Sequence, residues 1–239
     1  MYRYAGVEET LLNFVGSLAA VTAHQPAIAE IGCGTGHWLS VLTRSSWRPI
    51  GLEPSPAMLE HARTVVPGAP LVRARAEDLP WRDGVFDRIV CVNALHHFTD
   101  RTRFFAEALR VIRPGGGLLT VGKDPHAERD SWWVYDYFPE TLEIDRYRFA
   151  PVRALRGELA KAGFRWAESF ESDHIEVAMS AADALAGGVV HRSFTSQLSV
   201  LTELELQRGV ERIRDADRKA GGALQLVADF RLFATIGWA

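Results

Sequence analysis

Apolar positions along this chain switch between two periods. Residues 7–23, VEETLLNFVGSLAAVTA, carry apolar side chains at helical spacing, which predicts a helix. From Ala27 onward, short apolar runs alternate with helix-patterned segments. Ala27 to Ile31 reads as a first strand, Trp38 to Arg44 as a helix, and RPIGLE as a second strand ending at Glu53. SPAMLEHARTV begins with Ser55 as a helix N-cap and Pro56 at the first helical position. PLVRARA is a third strand. VFDRIVCVNAL is a fourth, with the near-continuous apolar centre of a strand buried on both faces. TDRTRFFAEALRVI predicts a helix stopped by RPGGG, and GLLTVGK a fifth strand. This βαβα order implies a parallel sheet with helices on both faces.

After Lys123 the rhythm changes. DPHAERDSWWVYDYFPETLEIDRYRF is aromatic-rich and reads as irregular. APVRALRGELAKAGF predicts a helix closed by Gly163, and RWAESFES a sixth strand. Helices follow from about Ala181 to Lys219, Gly221-Gly222 breaks the pattern, and a last strand runs from Phe230 to Gly237. The whole reads as one domain, 1–239: a helical segment at 1–24, a core at 25–123, an aromatic loop at 124–150, and a helical insertion at 172–222 over the sheet.

Size and composition narrow the classes. The chain has 239 residues, 47% hydrophobic and 24% charged, enough for a sizeable core. A net charge of -3 argues against a nucleic-acid partner, which a basic patch would favour. RIRDADRK alternates basic residues with Asp215 and Asp217, as a solvated helix face does. No apolar stretch reaches the ~20 residues of a membrane span. The start, MYRYAGVEET, lacks a signal-peptide apolar region. Two cysteines, Cys33 and Cys91, without framework spacing fit free thiols in a reducing cytoplasm.

The candidate chemistry sits in AIAEIGCGTGHWLSVL. A loop after the first strand of an open α/β sheet is the default ligand site. Gly32, Gly34 and Gly36 remove Cβ atoms, so a ligand can approach the backbone. The dinucleotide fingerprint G-x-G-x-x-G fails here, because His37 occupies the position of its third glycine. That argues against a nicotinamide-dependent oxidoreductase. Glu53, at the tip of the second strand, suits the two hydroxyls of a ribose. Glu30, late in an apolar strand, needs a partner, which a ligand ammonium would supply. Together these residues describe a nucleoside carrying an amino acid.

EIGCGTG, GLEPS, RAEDLPWRDGVFDRIVCVNALHHF and LRVIRPGGGLLTV resemble consecutive motifs of class I S-adenosylmethionine-dependent methyltransferases. They are most similar to the branch with the ubiquinone/menaquinone-biosynthesis and trans-aconitate enzymes. The resemblance covers about residues 25–123. It implies a Rossmann-like, doubly wound, seven-stranded and mostly parallel sheet whose last strand is antiparallel. It also implies S-adenosylmethionine as methyl donor and S-adenosylhomocysteine as product. Carried over residue by residue, Glu30, Gly32, Gly34 and Gly36 would surround the methionine part. Glu53 would bind the ribose, with Pro54 and Met58 beside the adenine. Ala76 and Glu77 would line the adenine edge, and Asn93 and Ala94 the methionyl chain. Many relatives have Asp where this chain has Arg75, and phenylalanine where it has Trp81.

His96 and His97, just past the fourth strand, are the candidate bases, since histidine accepts a proton near neutral pH. A metal site is not expected, because the pair lacks a third ligand. Trp132, Trp133, Tyr135 and Tyr137 could wall an acceptor pocket or pack their loop onto the sheet. Arg192, with Arg146 and Arg148, could clamp an acidic acceptor. Tyr2 and Tyr4 would close over the donor. The expected function is methyl transfer to a small molecule by a cytoplasmic monomer or homodimer, with oxygen preferred over carbon or nitrogen. The alternative is a non-catalytic S-adenosylmethionine-binding module.

Overall fold

The structure is a computed structural model that describes residues 4–19, 25–45, 47–127 and 129–239. Tyr2 and residues 20–23 of the expected first helix lie outside them. Two compact units emerge. One comprises residues Tyr4–Lys123, Pro151–Asp173 and Leu232–Ala239; the other includes Asp124–Ala150 and His174–Arg231.

The first unit starts with α1 (Ala5–Ala19), which buries Val7, Leu11, Phe14 and Val15, a stripe at i, i+4, i+7 and i+8. Then come β1 (Ile28–Ile31), α2 (His37–Arg44), β2 (Ile50–Leu52), α3 (Pro56–Val65), β3 (Leu71–Val72), β4 (Phe86–Val92), α4 (Arg101–Val111) and β5 (Ile112–Gly122). Ser55 caps α3 by accepting the Met58 N–H, and Asp100 caps α4 by accepting that of Arg103. The strands stand in the order β3-β2-β1-β4-β5, all parallel. The order reverses between β1 and β4, the switch point at which open α/β sheets bind ligands.

β4 is buried along its whole length, although it contains Asp87 and Arg88. Asp87 accepts the Ala27 N–H and pairs with Arg113. The Arg88 guanidinium lies over the rings of Trp238 and Phe14, 4.8 and 5.1 Å from their centres, and donates to the Phe14 carbonyl. RPGGG stops α4 as expected, yet β5 already begins at Ile112. Its pairing with β4 shifts register between Phe86 and Arg88, so Arg113 to Gly116 bulge out of the ladder.

The aromatic segment is ordered rather than irregular. It forms β6 (Ser131–Trp132), α5 (Trp133–Tyr137) and α6 (Glu140–Arg148). The reason is burial: Trp132, Trp133, Val134 and Phe138 fill the core of the second unit. After α7 (Val152–Ala162), β7 (Trp166–Ser180) extends past the expected sixth strand. α8 (Ala181–Ala186), α9 (Ser196–Ser199) and α10 (Glu203–Lys219) precede β8 (Gln225–Trp238). Thr202 and Glu205 form a capping box at the start of α10. Further along, α10 passes the Phe138 ring at Gly209, where a Cβ would come within 2.0 Å of the ring. β8 runs antiparallel to β5 from Phe233 to Trp238, and β7 pairs with β8. The two-residue β6 pairs antiparallel with Ala228 and Asp229, an eighth strand too short to be read from a period.

Candidate functional site: a cavity at the switch point

The carboxyl ends of β1, β2 and β4 surround a cavity of about 470 Å³. Gly32, Gly34, Glu53, Pro54, Met58, Ala76, Glu77, Asn93, Ala94 and His97 all line it. So do Leu52, Ser55, Arg75 and Phe98. Of these, Phe98 carried a signal that could have been used, since it closes the LHHF run.

The glycine loop owes its shape to two positions. Gly32 has φ +75°, and a Cβ there would lie 2.5 Å from the Ala94 Cβ. Gly34 has φ +53°, and a Cβ there would find only Met58 Sδ, at 4.0 Å. Both conformations suit glycine, and the second leaves open space beside the cavity. Gly36 lies outside the lining and packs against Ala62 of α3 and Val66, which caps that helix.

Glu53 is held by the loop it faces. Its Oε2 accepts the Gly34 N–H at 3.2 Å and its Oε1 the Ser55 N–H at 2.9 Å. The carboxylate is thereby fixed at the mouth of β2. Glu30 is only 1% exposed and does not line the cavity. Among the described residues its Oε2 has no hydrogen-bond partner. Burial pushes its carboxyl well above the ordinary range; the Leu39 N–H of α2 opposes this, and the nearby Glu53 adds to it. A buried carboxylate with an orphan oxygen beside a glycine loop fits a cationic group of a ligand. The same surroundings, burial first and then Glu30 and Glu53, push the Cys33 thiol up to about 12. Cys33 and Cys91 are both free and buried.

Glu77 lines the cavity and also holds the loop that follows β4. Its Oε1 accepts the Thr99 N–H at 2.7 Å, the Thr99 hydroxyl at 2.9 Å and the Asp100 N–H. Burial raises its carboxyl, but these hydrogen bonds and one from its own backbone outweigh that and hold it below the usual range. Arg75 lies 3.6 Å from Glu77 and donates to Thr99, so one cation stands among the carboxylates of the lining. The loop that carries them is clamped to α4: Glu107 accepts the Leu79 N–H, and Arg110 donates to the carbonyls of Leu79 and Trp81.

Asn93 has φ +52°, the one non-glycine residue in the left-handed region among the described residues. Its N–H is fixed on the Val121 carbonyl. Such a conformation costs energy that the surrounding fold must offset. His96 and His97 lie on a 3₁₀ turn, Leu95–His97, with ring centres 4.0 Å apart. His97 reaches the cavity; His96 is outside its lining. Tyr4 packs near Trp38 of α2, ring centres 6.1 Å apart.

The other expected residues lie in the second unit. Trp132 packs on Tyr135 and Phe230, and Trp133, 1% exposed, on Phe138. Both indoles serve the core there. Tyr135 donates its hydroxyl to Asp145 at 2.7 Å. Asp145 is wholly buried and also accepts from Arg148 and from Gln197 of α9. Tyr137 is half-buried and offers its carbonyl to Arg212, while Arg192 is exposed. Arg146 pairs with Glu143. Among the described residues, no group of three or more His, Cys, Asp and Glu side chains could hold a metal ion. No helix among them is long and apolar enough to cross a membrane.

Known proteins share this architecture. Residues 29–120 match the family model described as a methyltransferase domain. The phthiotriol/phenolphthiotriol dimycocerosates methyltransferase of Mycobacterium leprae is 34% identical over 134 residues, 54% of this chain and 49% of that one. The match thus spans about half the length of that curated relative. A crystal structure from Anabaena variabilis, described as a methyltransferase from an antibiotic biosynthesis pathway, has a TM-score of 0.76 at 22% identity, covering 98% of this chain and 97% of that one. Phosphoethanolamine N-methyltransferase 2 of Haemonchus contortus, solved with S-adenosyl-L-methionine, has a TM-score of 0.60 at 14% identity, covering 97% of this chain and 51% of that one. At these identities the two structures speak for the fold alone. What this chain shares with known proteins is thus a match to the methyltransferase domain family over residues 29–120 and the fold built around that stretch.

Proposed function

We propose that the protein transfers a methyl group from S-adenosylmethionine to a small-molecule acceptor. The observation that carries this reading is the pairing of two carboxylates around one glycine loop: Glu53, oriented by Gly34 and Ser55, and Glu30, with an orphan buried oxygen. Glu53 would accept hydrogen bonds from ribose hydroxyls, and Glu30 would meet the positive charge of the amino-acid end. Pro54, Met58, Ala76 and Phe98 would enclose the adenine, with Asn93 and Ala94 along the methionyl chain. The donor brings a methyl already activated by its sulfonium charge. The chain's task is to align the acceptor and exclude water, which is worth about 7–11 kcal/mol of barrier when the geometry is good.

His97, on the cavity, is the stronger candidate base, with His96 behind it. A histidine there would suit an acceptor hydroxyl, so oxygen is preferred over carbon or nitrogen. The Mycobacterium leprae relative is named for phthiotriol and phenolphthiotriol dimycocerosates, which supports an acceptor that is not a protein or nucleic acid.

The test is capture of the acceptor. The protein is incubated with methyl-deuterated S-adenosylmethionine and a small-molecule extract of its source cells, and labelled products are sought by mass spectrometry. Donor affinity is measured in parallel by calorimetry. A labelled product supports the reading and names the acceptor. Donor binding without any product favours the non-catalytic module. No donor binding sinks both.

A further inference from the structure

The geometry points to a second binding site, on one face of α7, that takes an organic phosphate with a planar or apolar body. A recess of about 430 Å³ lies between α7 and the segment leading into β7. None of its residues lines the donor cavity.

Arg153 and Arg156 stand three residues apart on α7 and therefore share a side of the helix. Gly157 and Ala160 continue that side with almost no side chain, leaving a trough; a Cβ on Gly157 would meet nothing within 4 Å. Arg165 and Trp166 form the opposite wall. The Arg165 backbone is anchored on the Trp238 carbonyl, and Arg156 Nε on that of Ala167.

Two features of this recess lack a counterpart within the protein. Its three guanidinium groups have no carboxylate: among the described residues Arg153, Arg156 and Arg165 make no ion pair, while Glu158 of the same helix is engaged by Arg101 through both oxygens. Trp166 is 55% exposed and the only exposed tryptophan among the described residues. Like charges facing one trough repel, and an open indole gains by being covered. Guanidinium forks match phosphate oxygens and tolerate a dianion better than a single carboxylate requires. A ring attached to that phosphate would cover the indole. Inorganic phosphate would leave Trp166 open, and a neutral ring would leave the charges unanswered.

The probe is 1-naphthyl phosphate, titrated calorimetrically into the full chain saturated with S-adenosylhomocysteine. Inorganic phosphate and 1-naphthol are titrated separately. The expected result is binding of naphthyl phosphate that weakens with added salt, with both halves at least about tenfold weaker. The double variant R153Q/R165Q should weaken it at least about tenfold and W166A by a smaller factor, with unchanged melting temperature and unchanged S-adenosylhomocysteine affinity. R153K/R165K should recover part of the loss. No binding by the unaltered chain, or equal binding by R153Q/R165Q, overturns the proposal. Binding in the donor cavity would be insensitive to these arginines, so a failed donor assignment gives a different outcome.

Discussion

Glu53 Oε2 accepts the Gly34 N–H at 3.2 Å, so the acid at the tip of β2 and the loop after β1 orient each other. Glu53→Ala removes a charged acceptor and frees the loop. Hydrogen bonds to charged groups contribute about 1.5–3 kcal/mol each. Donor affinity should fall at least about tenfold by calorimetry, with only a small change in melting temperature. Unchanged affinity would remove the ribose assignment.

Glu30 predicts a proton linkage. Its folded-state carboxyl is raised, chiefly by burial. Above the ordinary carboxylate value the unfolded chain has lost a proton that the folded protein keeps, so stability falls as pH rises through that window. A cationic donor group beside Glu30 favours its charged form. Binding should therefore release a proton, and affinity should rise with pH, until the folded value is passed. Calorimetry in two buffers of different ionisation heat, across roughly pH 5 to 9, reads this directly. Glu30→Gln should abolish the release; buffer-independent heats in the unaltered protein would refute the linkage.

Gly32 and Gly34 should respond differently to alanine. At Gly32 the new Cβ meets Ala94 at 2.5 Å in a left-handed conformation. Gly32→Ala should lower stability by more than about 2 kcal/mol and abolish donor binding. Gly34→Ala meets no close atom, so its stability cost should be about 1–2 kcal/mol from φ alone. Urea unfolding separates the two.

His97→Ala and His96→Ala test the base once an acceptor is known. A positioned base contributes about 10²–10⁴-fold. Turnover should fall by that order for His97→Ala, at unchanged donor affinity, and less for His96→Ala. Full activity in both variants would mean an acceptor that needs no base.

Asp145 anchors the second unit. Asp145→Ala strips Tyr135, Gln197 and Arg148 of their shared acceptor in a fully buried place. The expected cost is about 3–5 kcal/mol, visible as a fall in melting temperature. A loss below about 1 kcal/mol would mean that the three donors find other partners.

Glu77 illustrates what pattern reading can and cannot reach. That a carboxylate follows β3 in a motif was legible in RAEDLP. That it binds Thr99 and Asp100, across more than twenty residues of chain, was not. The aromatic segment gives the same lesson. Its composition left a pocket wall and a packed loop both open, and Trp132 and Trp133 are buried in the core of their unit, because nothing local in SWWVYDYF says which face another element will cover.

The sequence by itself determined the strand–glycine–helix unit at Ile28 to Arg44, the acid at the β2 tip and the cap of α3, because each depends on neighbours within a few residues. Tertiary structure alone decided that Leu52, Arg75 and Phe98 meet in one cavity, that Gly36 packs outside it, and that Glu30 keeps an unpaired oxygen. Those outcomes depend on the register of β1 against β2 and β4 and on how α2 and α3 close over the loop. Long-range packing sets both, and no local period encodes either.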